Sequence, residues 1–270
     1  MKNILITGAS GGLGKKLALL FANNNWQVIA TMLYIQDQIE LTHPNISCFK
    51  IDVTSTQSIE IAKNQILSKF KSIDVIINNA GIGYRSFVEL SEDENINAIV
   101  DVNFLGTVKI CRAFIPIFRT QKSGFFINIT SIAGLVNLPL GNFYHATKKA
   151  VESFSESMTY ELMSFNVKVA TVQFGNVNTN FQKNVTKSQE TTIESYTYLM
   201  KKISDLLHKK SNKNNNLLPQ ITNKILQIAE NPPSSFRRYT IGFDANAMKY
   251  LRRLLGYRLF NRLIRWSVFK

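Results

Sequence analysis

Asn3-Ile4-Leu5-Ile6-Thr7-Gly8-Ala9-Ser10-Gly11-Gly12-Leu13-Gly14, at the start of this 270-residue chain, joins an apolar run to a glycine-rich turn. Residues 3–7 are typical of a buried strand, and the pattern Leu17, Leu20, Phe21 that follows the turn is helical. Such a layout directs free backbone N–H groups and the helix dipole at a pyrophosphate. A flexible surface turn is the alternative, but spaced glycines between a strand and a helix favour nucleotide binding.

The glycine spacing narrows the kind of nucleotide loop. It is Gly-x-x-x-Gly-x-Gly, which differs from the common Gly-x-Gly-x-x-Gly fingerprint, and no Gly-Lys-Ser/Thr follows as in a Walker loop. We expect Gly8 to form the tight turn. We expect Gly12 and Gly14 to keep side chains away from the phosphates and from the strand behind the helix.

A second motif, formed by Tyr144 and Lys148, is suited to proton transfer. Tyr144 and Lys148 lie four residues apart in a helical stretch, and Ser131 lies thirteen residues upstream of Tyr144. Residues i and i+4 share a helix face, so the ammonium is placed beside the phenol. Lowering a phenol pKa from about 10 by about 3 units requires roughly 4 kcal/mol, and a fixed cation favours the phenolate. Taken alone, Tyr-x-x-x-Lys is also typical of an exposed helix face.

Five motifs occur in an order that is informative as a set. They are Thr7-Gly8-Ala9-Ser10-Gly11-Gly12-Leu13-Gly14, Asp52-Val53, Asn78-Asn79-Ala80-Gly81, the set Asn103, Ser131, Tyr144 and Lys148, and Gly175-Asn176-Val177-Asn178-Thr179. Over residues 1–245 the chain thereby resembles the short-chain dehydrogenase/reductase family. The last motif departs from that family's Pro-Gly-x-x-x-Thr, because Phe174 replaces the proline.

The resemblance implies a catalytic tetrad for an NAD(P)-dependent oxidoreductase. Tyr144 would be the general acid/base, and Lys148 would lower its pKa and hold the ribose hydroxyls of the nicotinamide. Ser131 would hydrogen-bond the substrate oxygen. Asn103 would hold a water that connects Lys148 to solvent, although a helix asparagine that solvates the backbone is the alternative. We interpret His145, one residue along the helix, as structural.

The resemblance also implies the residues that contact the dinucleotide. They are Gly8, Ser10, Gly12, Leu13 and Gly14 at the pyrophosphate, Asp52 and Val53 at the adenine, Asn79 on the adenosine side followed by Ala80 and Gly81, Tyr144 and Lys148 of the tetrad, and Val177 and Thr179 at the carboxamide. Asp52 has an alternative role as a strand-end cap. NAD and NADP both remain possible cofactors, because residues 30–34 offer neither an acid nor an arginine to the ribose. Lys15 and the missing acid favour NADP slightly, although Gly11 stands where many NADP-dependent relatives carry a basic residue.

Alternating apolar runs and helical patterns predict an α/β fold, a single doubly wound Rossmann-type domain with a seven-stranded parallel sheet and helices on both faces. The predicted strands are 3–7, 27–32, 47–51, 73–78, 124–130, 167–173 and 238–242. The predicted helices are 12–24, 56–70, 91–120, 143–165, 188–210, 218–230 and 244–268. The resemblance, and not the pattern, supplies the strand order 3-2-1-4-5-6-7.

Residues 1–245 are expected to form the catalytic domain, including a substrate lid at 180–216. Tyr196, Tyr198, Leu199, Met200 and Leu206 give this lid an apolar side. They indicate a small hydrophobic substrate, such as a steroid, retinoid or lipid-derived alcohol or carbonyl. Packing of the same residues on the sheet is the alternative.

Residues 246–270 predict a basic amphipathic helical extension, interrupted at Gly256. Packing over the substrate pocket, a subunit contact and peripheral contact with an anionic membrane are the three alternatives. The net charge of +14 favours anionic partners, but no nucleic-acid motif accompanies it, so no nucleic-acid partner is expected.

Four further expectations come from the start of the chain, the cysteines, the histidines and the family resemblance. The chain starts directly with its first strand, so no signal peptide is expected. Cys48 and Cys111 are isolated, which favours buried thiols in a cytoplasmic protein. His43 and His208 lack partner residues, so no metal site is expected. The family resemblance implies a homodimer or homotetramer.

Three functions compete at this point. The leading hypothesis is hydride transfer between a nicotinamide and a hydrophobic alcohol or its carbonyl. The second is a non-catalytic nucleotide-binding sensor or scaffold, which the intact tetrad disfavours. The third is a membrane-surface binding protein that acts through the basic C-terminus.

Overall fold

The computed structural model describes residues 1–175, 177, 181, 185–187, 191–211 and 217–269, and at 204–211 and 268–269 the backbone alone. Within these residues the strands and helices alternate along the chain. The strands are β1 (Asn3–Thr7), β2 (Gln27–Met32), β3 (Ile46–Lys50), β4 (Val75–Asn78), β5 (Tyr84–Arg85), β6 (Gly124–Ile129), β7 (Val167–Phe174), β8 (Thr186–Lys187) and β9 (Arg237–Ile241).

The main sheet has seven parallel strands in the order β3-β2-β1-β4-β6-β7-β9. The order reverses between β1 and β4, which is the switch point where such sheets bind ligands at the carboxyl ends of their strands. The predicted doubly wound sheet and its strand order are therefore confirmed. The short strands β5 and β8 pair separately, and the seven predicted strands did not include them.

Helices cover both faces of the sheet. They are α1 (Gly12–Asn23), α2 (Thr56–Lys69), α3 (Asp93–Val100), α4 (Gly106–Gln121), α5 (Asn142–Leu162), α6 (Glu194–Ser211), α7 (Leu217–Glu230) and α8 (Phe243–Phe269). Phe21 of α1 and Ile225 of α7 belong to the hydrophobic core on one face. Ile59 of α2, Phe114 of α4 and Met158 of α5 belong to the core on the other face.

The single helix predicted at 91–120 is divided in the structure. A π-helical turn, Asp101–Leu105, separates α3 from α4. A π turn accommodates an extra residue and is common at functional sites. Here the turn contains Asn103, whose side chain is 1% exposed. Of the helix predicted at 188–210, the described residues form the helix Glu194–Ser211.

The C-terminal helix α8 is broken where the sequence predicted an interruption. Gly256 has φ of +59° and ψ of −171°, a conformation that lies outside the helical region. Phe260 in the second half is 1% exposed, so this half packs against the rest of the protein. Among the residues that the structure describes, no helix is both long and apolar enough to span a bilayer.

Helix α1 approaches the β1 turn too closely for a side chain at Gly14. A Cβ there would lie 2.2 Å from the carbonyl oxygen of Gly8 and 2.6 Å from Nδ2 of Asn79. Neither atom can move easily, because Nδ2 of Asn79 donates to the carbonyl oxygens of both Thr7 (2.9 Å) and Gly8 (3.1 Å). Gly14 therefore has a packing role beneath the turn.

Gly14→Ala should lower the free energy of unfolding by about 1–3 kcal/mol, because the added methyl group overlaps backbone. Urea unfolding without nucleotide measures the change. Gly11→Ala is the matched control, since a Cβ at Gly11 meets nothing within 4 Å and its backbone is extended. It should cost less than about 1 kcal/mol. Equal losses for the two variants would contradict this account of the turn.

Candidate active site

A cavity of about 810 Å³ lies at the carboxyl ends of the central strands. It reaches from the glycine-rich turn to α5 and on to an apolar chamber under α7 and α8. The predicted site residues that line it are Gly8, Ser10, Gly12, Leu13, Asn79, Ala80, Gly81, Ser131, Tyr144, Lys148 and Val177. One space therefore joins the predicted nucleotide loop to the predicted catalytic side chains.

Lys148 is buried at the centre of this cavity, with 6% of its surface exposed. Its Nζ donates to the carbonyl oxygen of Ile129, at the end of β6, over 3.1 Å, and lies 5.7 Å from the centre of the Tyr144 ring. Burial lowers the pKa of Lys148 to about 8, although the nearby Glu152 carboxylate acts in the opposite direction. The ammonium is thus close to a change of charge at physiological pH.

Tyr144 is a neutral phenol in this environment. Burial raises its pKa to about 12, against the opposing effects of a hydrogen bond with Ser131 and of the positive charge of Arg85. At neutral pH the side chain is therefore protonated and is a proton donor. The two groups that favour its phenolate are Ser131 and Arg85, whereas the sequence assigned this effect to Lys148.

Ser131 is held in place by the turn that follows β6. Its backbone is extended, and Oγ accepts from the backbone N–H of Ala133 over 3.1 Å and donates to the carbonyl oxygen of Phe174 over 3.4 Å. His145 Nδ1 lies 3.0 Å from the carbonyl oxygen of Ala133. Burial lowers the pKa of His145, so this buried imidazole is neutral, and it contacts the turn while also lining the cavity.

Asn103 lies behind the cavity wall. Its Oδ1 accepts from the backbone N–H of Ile82 over 2.8 Å, and its Nδ2 donates to the carbonyl oxygen of Ile82 over 2.9 Å. A Cβ built on Gly81 would lie 3.1 Å from Asn103 Oδ1 and 3.7 Å from Lys148 Nζ. The amide therefore holds the segment after β4, and its oxygen and the ammonium both border the space beside Gly81.

The nucleotide end of the cavity suits a pyrophosphate. The first backbone N–H groups of α1 face it, and Gly8 and Gly12 adopt positive φ values of 65° and 54°. The hydroxyl oxygen of Thr7 accepts from the backbone N–H groups of Asn79 and Ala80, each over 3.0 Å. These contacts hold the turns after β1 and β4 side by side. The resulting open cradle fits a dinucleotide.

Of the predicted cofactor residues that the structure describes, Gly14, Asp52 and Val53 do not line the cavity. Gly14 packs beneath the turn. Val53 packs against Gly106, where an added Cβ would lie only 2.8 Å from the Val53 side chain. Asp52 Oδ1 accepts from the backbone N–H of Thr54 over 2.8 Å and from its hydroxyl over 2.7 Å, which is the strand-end cap considered as its alternative. Thr179 lies outside the described residues.

The other end of the cavity is an apolar chamber. Its lining comes from the end of β7, from residues after β7, and from α6, α7 and α8, and includes Phe174, Phe181, Val185, Ile203, Leu218, Ile221, Met248, Leu263 and Ile264. Tyr196, expected on the apolar side of the lid, instead stacks on Phe87 at 3.9 Å and donates to Glu89 over 2.6 Å. Both elements that the sequence left open, the lid and the C-terminal helix, therefore contribute to this chamber.

Two polar features near the site were missed from the sequence. Arg85 lines the cavity from β5, a strand of two residues that no pattern predicted. Glu152 is buried and binds Thr171, Gln173 and Arg238. The sequence could have indicated Glu152 as a partner of Lys148, because it lies one helical turn after Lys148 on the same face of α5.

The profile of the short chain dehydrogenase family matches residues 2–190. The chain belongs to the short-chain dehydrogenase/reductase family. The 3-ketodihydrosphingosine reductase of Bacteroides thetaiotaomicron is 38% identical over 181 residues, which are 67% of this chain and 66% of that protein. The match thus spans just under two thirds of that relative's length.

Solved structures, among them short-chain dehydrogenases, have the same fold. One from Streptomyces avermitilis has a TM-score of 0.82 at 25% identity and covers 94% of each chain. One from Burkholderia phymatum in complex with NAD has a TM-score of 0.79 at 19% identity over 94% of this chain and 93% of that one. ElxO with NADP bound has a TM-score of 0.75 at 23% identity, and the match covers 91% of this chain and 99% of that one.

The pKa of Lys148 predicts a pH-dependent difference in stability between the wild-type protein and Lys148→Met. The pKa is 10.5 for an ordinary lysine and about 8 in the folded protein, so the unfolded chain binds more protons between these values. Wild-type stability should therefore rise relative to Lys148→Met, by about 2–3 kcal/mol from pH 7 to pH 10. Urea unfolding of both proteins at each pH measures it. Parallel pH curves would show that the ammonium is not desolvated.

Proposed function

We propose that this protein is an NAD(P)-dependent oxidoreductase that interconverts a hydrophobic alcohol and its carbonyl compound. One observation carries the proposal: Tyr144, Ser131 and Lys148 meet at the junction between the phosphate turn and the apolar chamber. A substrate oxygen in the chamber would reach the phenol while a dinucleotide lies across the strand ends. A non-catalytic sensor or scaffold would have no use for a buried cation at this junction.

Each catalytic residue has a role in the proposed reaction. A bound nicotinamide supplies or takes up the hydride. Tyr144, neutral at physiological pH, donates its proton to the substrate oxygen during reduction and takes it back during oxidation. Ser131 donates a hydrogen bond to that oxygen and so stabilises the charge that develops there. Lys148 adds positive charge beside the phenol and binds ribose hydroxyls, and Asn103 orders the wall next to it.

We infer NADP or NAD as the cofactor, with a slight preference for NADP. The pyrophosphate would bind the turn of Gly8, Ser10, Gly12 and Leu13, while Asn79, Ala80, Gly81, Val177 and Thr179 would line the rest of its path. The support for NADP is the lack of an acid from Ala30 to Tyr34 that would repel a 2′-phosphate. Lys15 supports it less than the sequence suggested, because Lys15 forms an ion pair with Glu40.

A hydrophobic substrate is the second part of the proposal. The chamber walls are aliphatic and aromatic, and Phe181 lies 6.0 Å from the Tyr144 ring, so an apolar body would fit against the catalytic phenol. The similarity to a 3-ketodihydrosphingosine reductase also favours a keto group on an apolar substrate. The division at residue 245, the homodimer or homotetramer and the cytoplasmic location stay predictions.

We also propose that α8 rests on anionic membrane surfaces. Leu263, Ile264 and Ser267 of its second half line the cavity. The outer side exposes Trp266, at 59%, and basic residues that complement acidic headgroups. These basic residues are Arg258, Arg262 and Arg265. A lipid-derived substrate could then enter the chamber from the membrane.

Membrane contact predicts sedimentation with vesicles of phosphatidylserine and phosphatidylcholine at low salt, and no sedimentation with phosphatidylcholine alone. The triple variant Arg258→Gln, Arg262→Gln and Arg265→Gln should lower the partition coefficient at least about tenfold. The matched control removes the exposed charges of Arg112, Arg119 and Lys122 around α4. Equal losses in both triple variants, or no binding by the wild type, would contradict a role for α8.

Tyr144→Phe tests the catalytic proposal. Loss of the proton donor should lower kcat/KM by about 10²–10⁴-fold, because hydride transfer then leaves an unneutralised oxygen. Absorbance of NADPH or NADH reports turnover of 2-decanone, decanal and a 3-ketosteroid, and the dissociation constants of both nucleotides should change less than about twofold. Tyr160→Phe is the matched control, since Tyr160 is an exposed tyrosine on the same helix. An active Tyr144→Phe variant would refute the mechanism.

A further inference from the structure

Arg85 lines the cavity from strand β5, next to Tyr84. Its neighbours Tyr84 and Ser86 are 2% and 1% exposed, so the chain on both sides of Arg85 is packed into the protein. Tyr144 lines the same cavity, and the charge of Arg85 lies close enough to interact with it. The guanidinium thus shares one space with the catalytic phenol.

The backbone on both sides of Arg85 is tied to the segment that precedes Tyr144. The Tyr84 ring stacks on Phe143 at 6.2 Å. The backbone N–H of Ser86 donates to the carbonyl oxygen of Leu140 over 3.1 Å, and Nδ2 of Asn142 donates to the carbonyl oxygen of Ser86 over 2.9 Å. These three contacts hold β5 at a constant distance from the start of α5. Arg85 therefore has a defined position relative to Tyr144.

The charges of these two groups are coupled. A guanidinium stays protonated in proteins, even though burial lowers the pKa of Arg85 here, and proximity to Tyr144 opposes that effect. The same charge favours the phenolate of Tyr144. Lys148 is a less constant source of charge, because its pKa is about 8 and its Nζ is engaged by the carbonyl oxygen of Ile129.

We propose that Arg85 is a positioning residue for proton transfer, and that its guanidinium stabilises the anionic form of Tyr144 that arises when the phenol gives up its proton. The inference rests on the proposed function, in which Tyr144 exchanges a proton with the substrate oxygen. In reduction Tyr144 loses this proton to the substrate. In oxidation the alcohol returns it. Arg85 then acts in both directions without contacting the reacting atoms.

Other polar groups around the pair contribute in distinct ways. Ser131 hydrogen-bonds the phenol, and Lys148 with Glu152 lies further along α5. The neutral ring of His145 is 6.4 Å from the Tyr144 ring. From the elements packed beside β5, Lys187 is opposite Arg85 in the β5–β8 register, and Glu89 accepts from Tyr196. Lys187 is exposed and does not line the cavity, so it serves as a control cation.

The pH dependence of kcat/KM for oxidation of 2-decanol tests the proposal. Arg85→Met and Arg85→Gln should each raise the apparent pKa of the acidic limb by about 1 unit, because the phenolate loses a neighbouring cation. Arg85→Lys should restore most of the wild-type profile. Lys187→Met should leave the profile unchanged. Nucleotide binding and thermal unfolding of each variant confirm that the fold is retained, and Arg85→Gln provides a polar alternative to Arg85→Met.

A readout without turnover separates this inference from the proposed function. In protein labelled with 13C at tyrosine Cζ, the Tyr144 resonance, assigned by its absence in Tyr144→Phe, should show about tenfold less phenolate at pH 11 in Arg85→Gln than in wild type. Unchanged titration and an unchanged kinetic profile, with any loss confined to KM, would overturn the role of Arg85. An active Tyr144→Phe variant would instead overturn the proposed function.

Discussion

The burial of one ammonium group constrains the rest of the site. Lys148 Nζ reaches the carbonyl oxygen of Ile129 from within α5, so this helix must cross the end of β6 at a fixed height. Burial of a cation is unfavourable unless acceptors or anions lie near it. Burial accordingly lowers the pKa of Lys148 to about 8. The carbonyl oxygen of Ile129 accepts from the ammonium, and Asn103 Oδ1 borders the same space beside Gly81. The surroundings of the ammonium therefore depend on the positions of β6 and of the π turn.

Glu152 extends this constraint to the sheet. Its carboxylate accepts from the hydroxyls of Thr130, just after β6, and Thr171, on β7, as well as from Gln173 and Arg238. A buried carboxylate with this many donors is satisfied only while β6, β7, β9 and α5 keep their arrangement. The same charge raises the pKa of Lys148, so the network that fastens the helix also favours the charged form of the lysine.

The sequence was sufficient for the parts of the protein that repeat a local pattern. The strand, turn and helix at residues 3–24, the seven sheet strands and the Tyr144–Lys148 helix all follow from periodicity, glycine placement and i,i+4 spacing. The strand order needed the family resemblance, because the sequence of one strand does not indicate which distant strand lies beside it. Asn103 was found as a motif residue, but the π turn that buries it was not, since one extra residue in a helix does not alter the hydrophobic pattern enough to be seen.

The residues that line the apolar chamber were not predicted one by one, although the lid and the C-terminal helix that carry most of them were considered as parts of its wall. Phe181, Ile203 and Leu263 come from three separate segments that meet only in the folded chain, and none has a spacing that indicates a pocket. The position of Arg85 is also set by tertiary contacts that no local pattern predicts. This position depends on Tyr84 stacking on Phe143 and on Ser86 bonding to Leu140, which are contacts across more than fifty residues of sequence. The pairing of Tyr144 with Lys148 on one helix face therefore follows from the local sequence, whereas the charge and shape of the apolar chamber arise from tertiary packing.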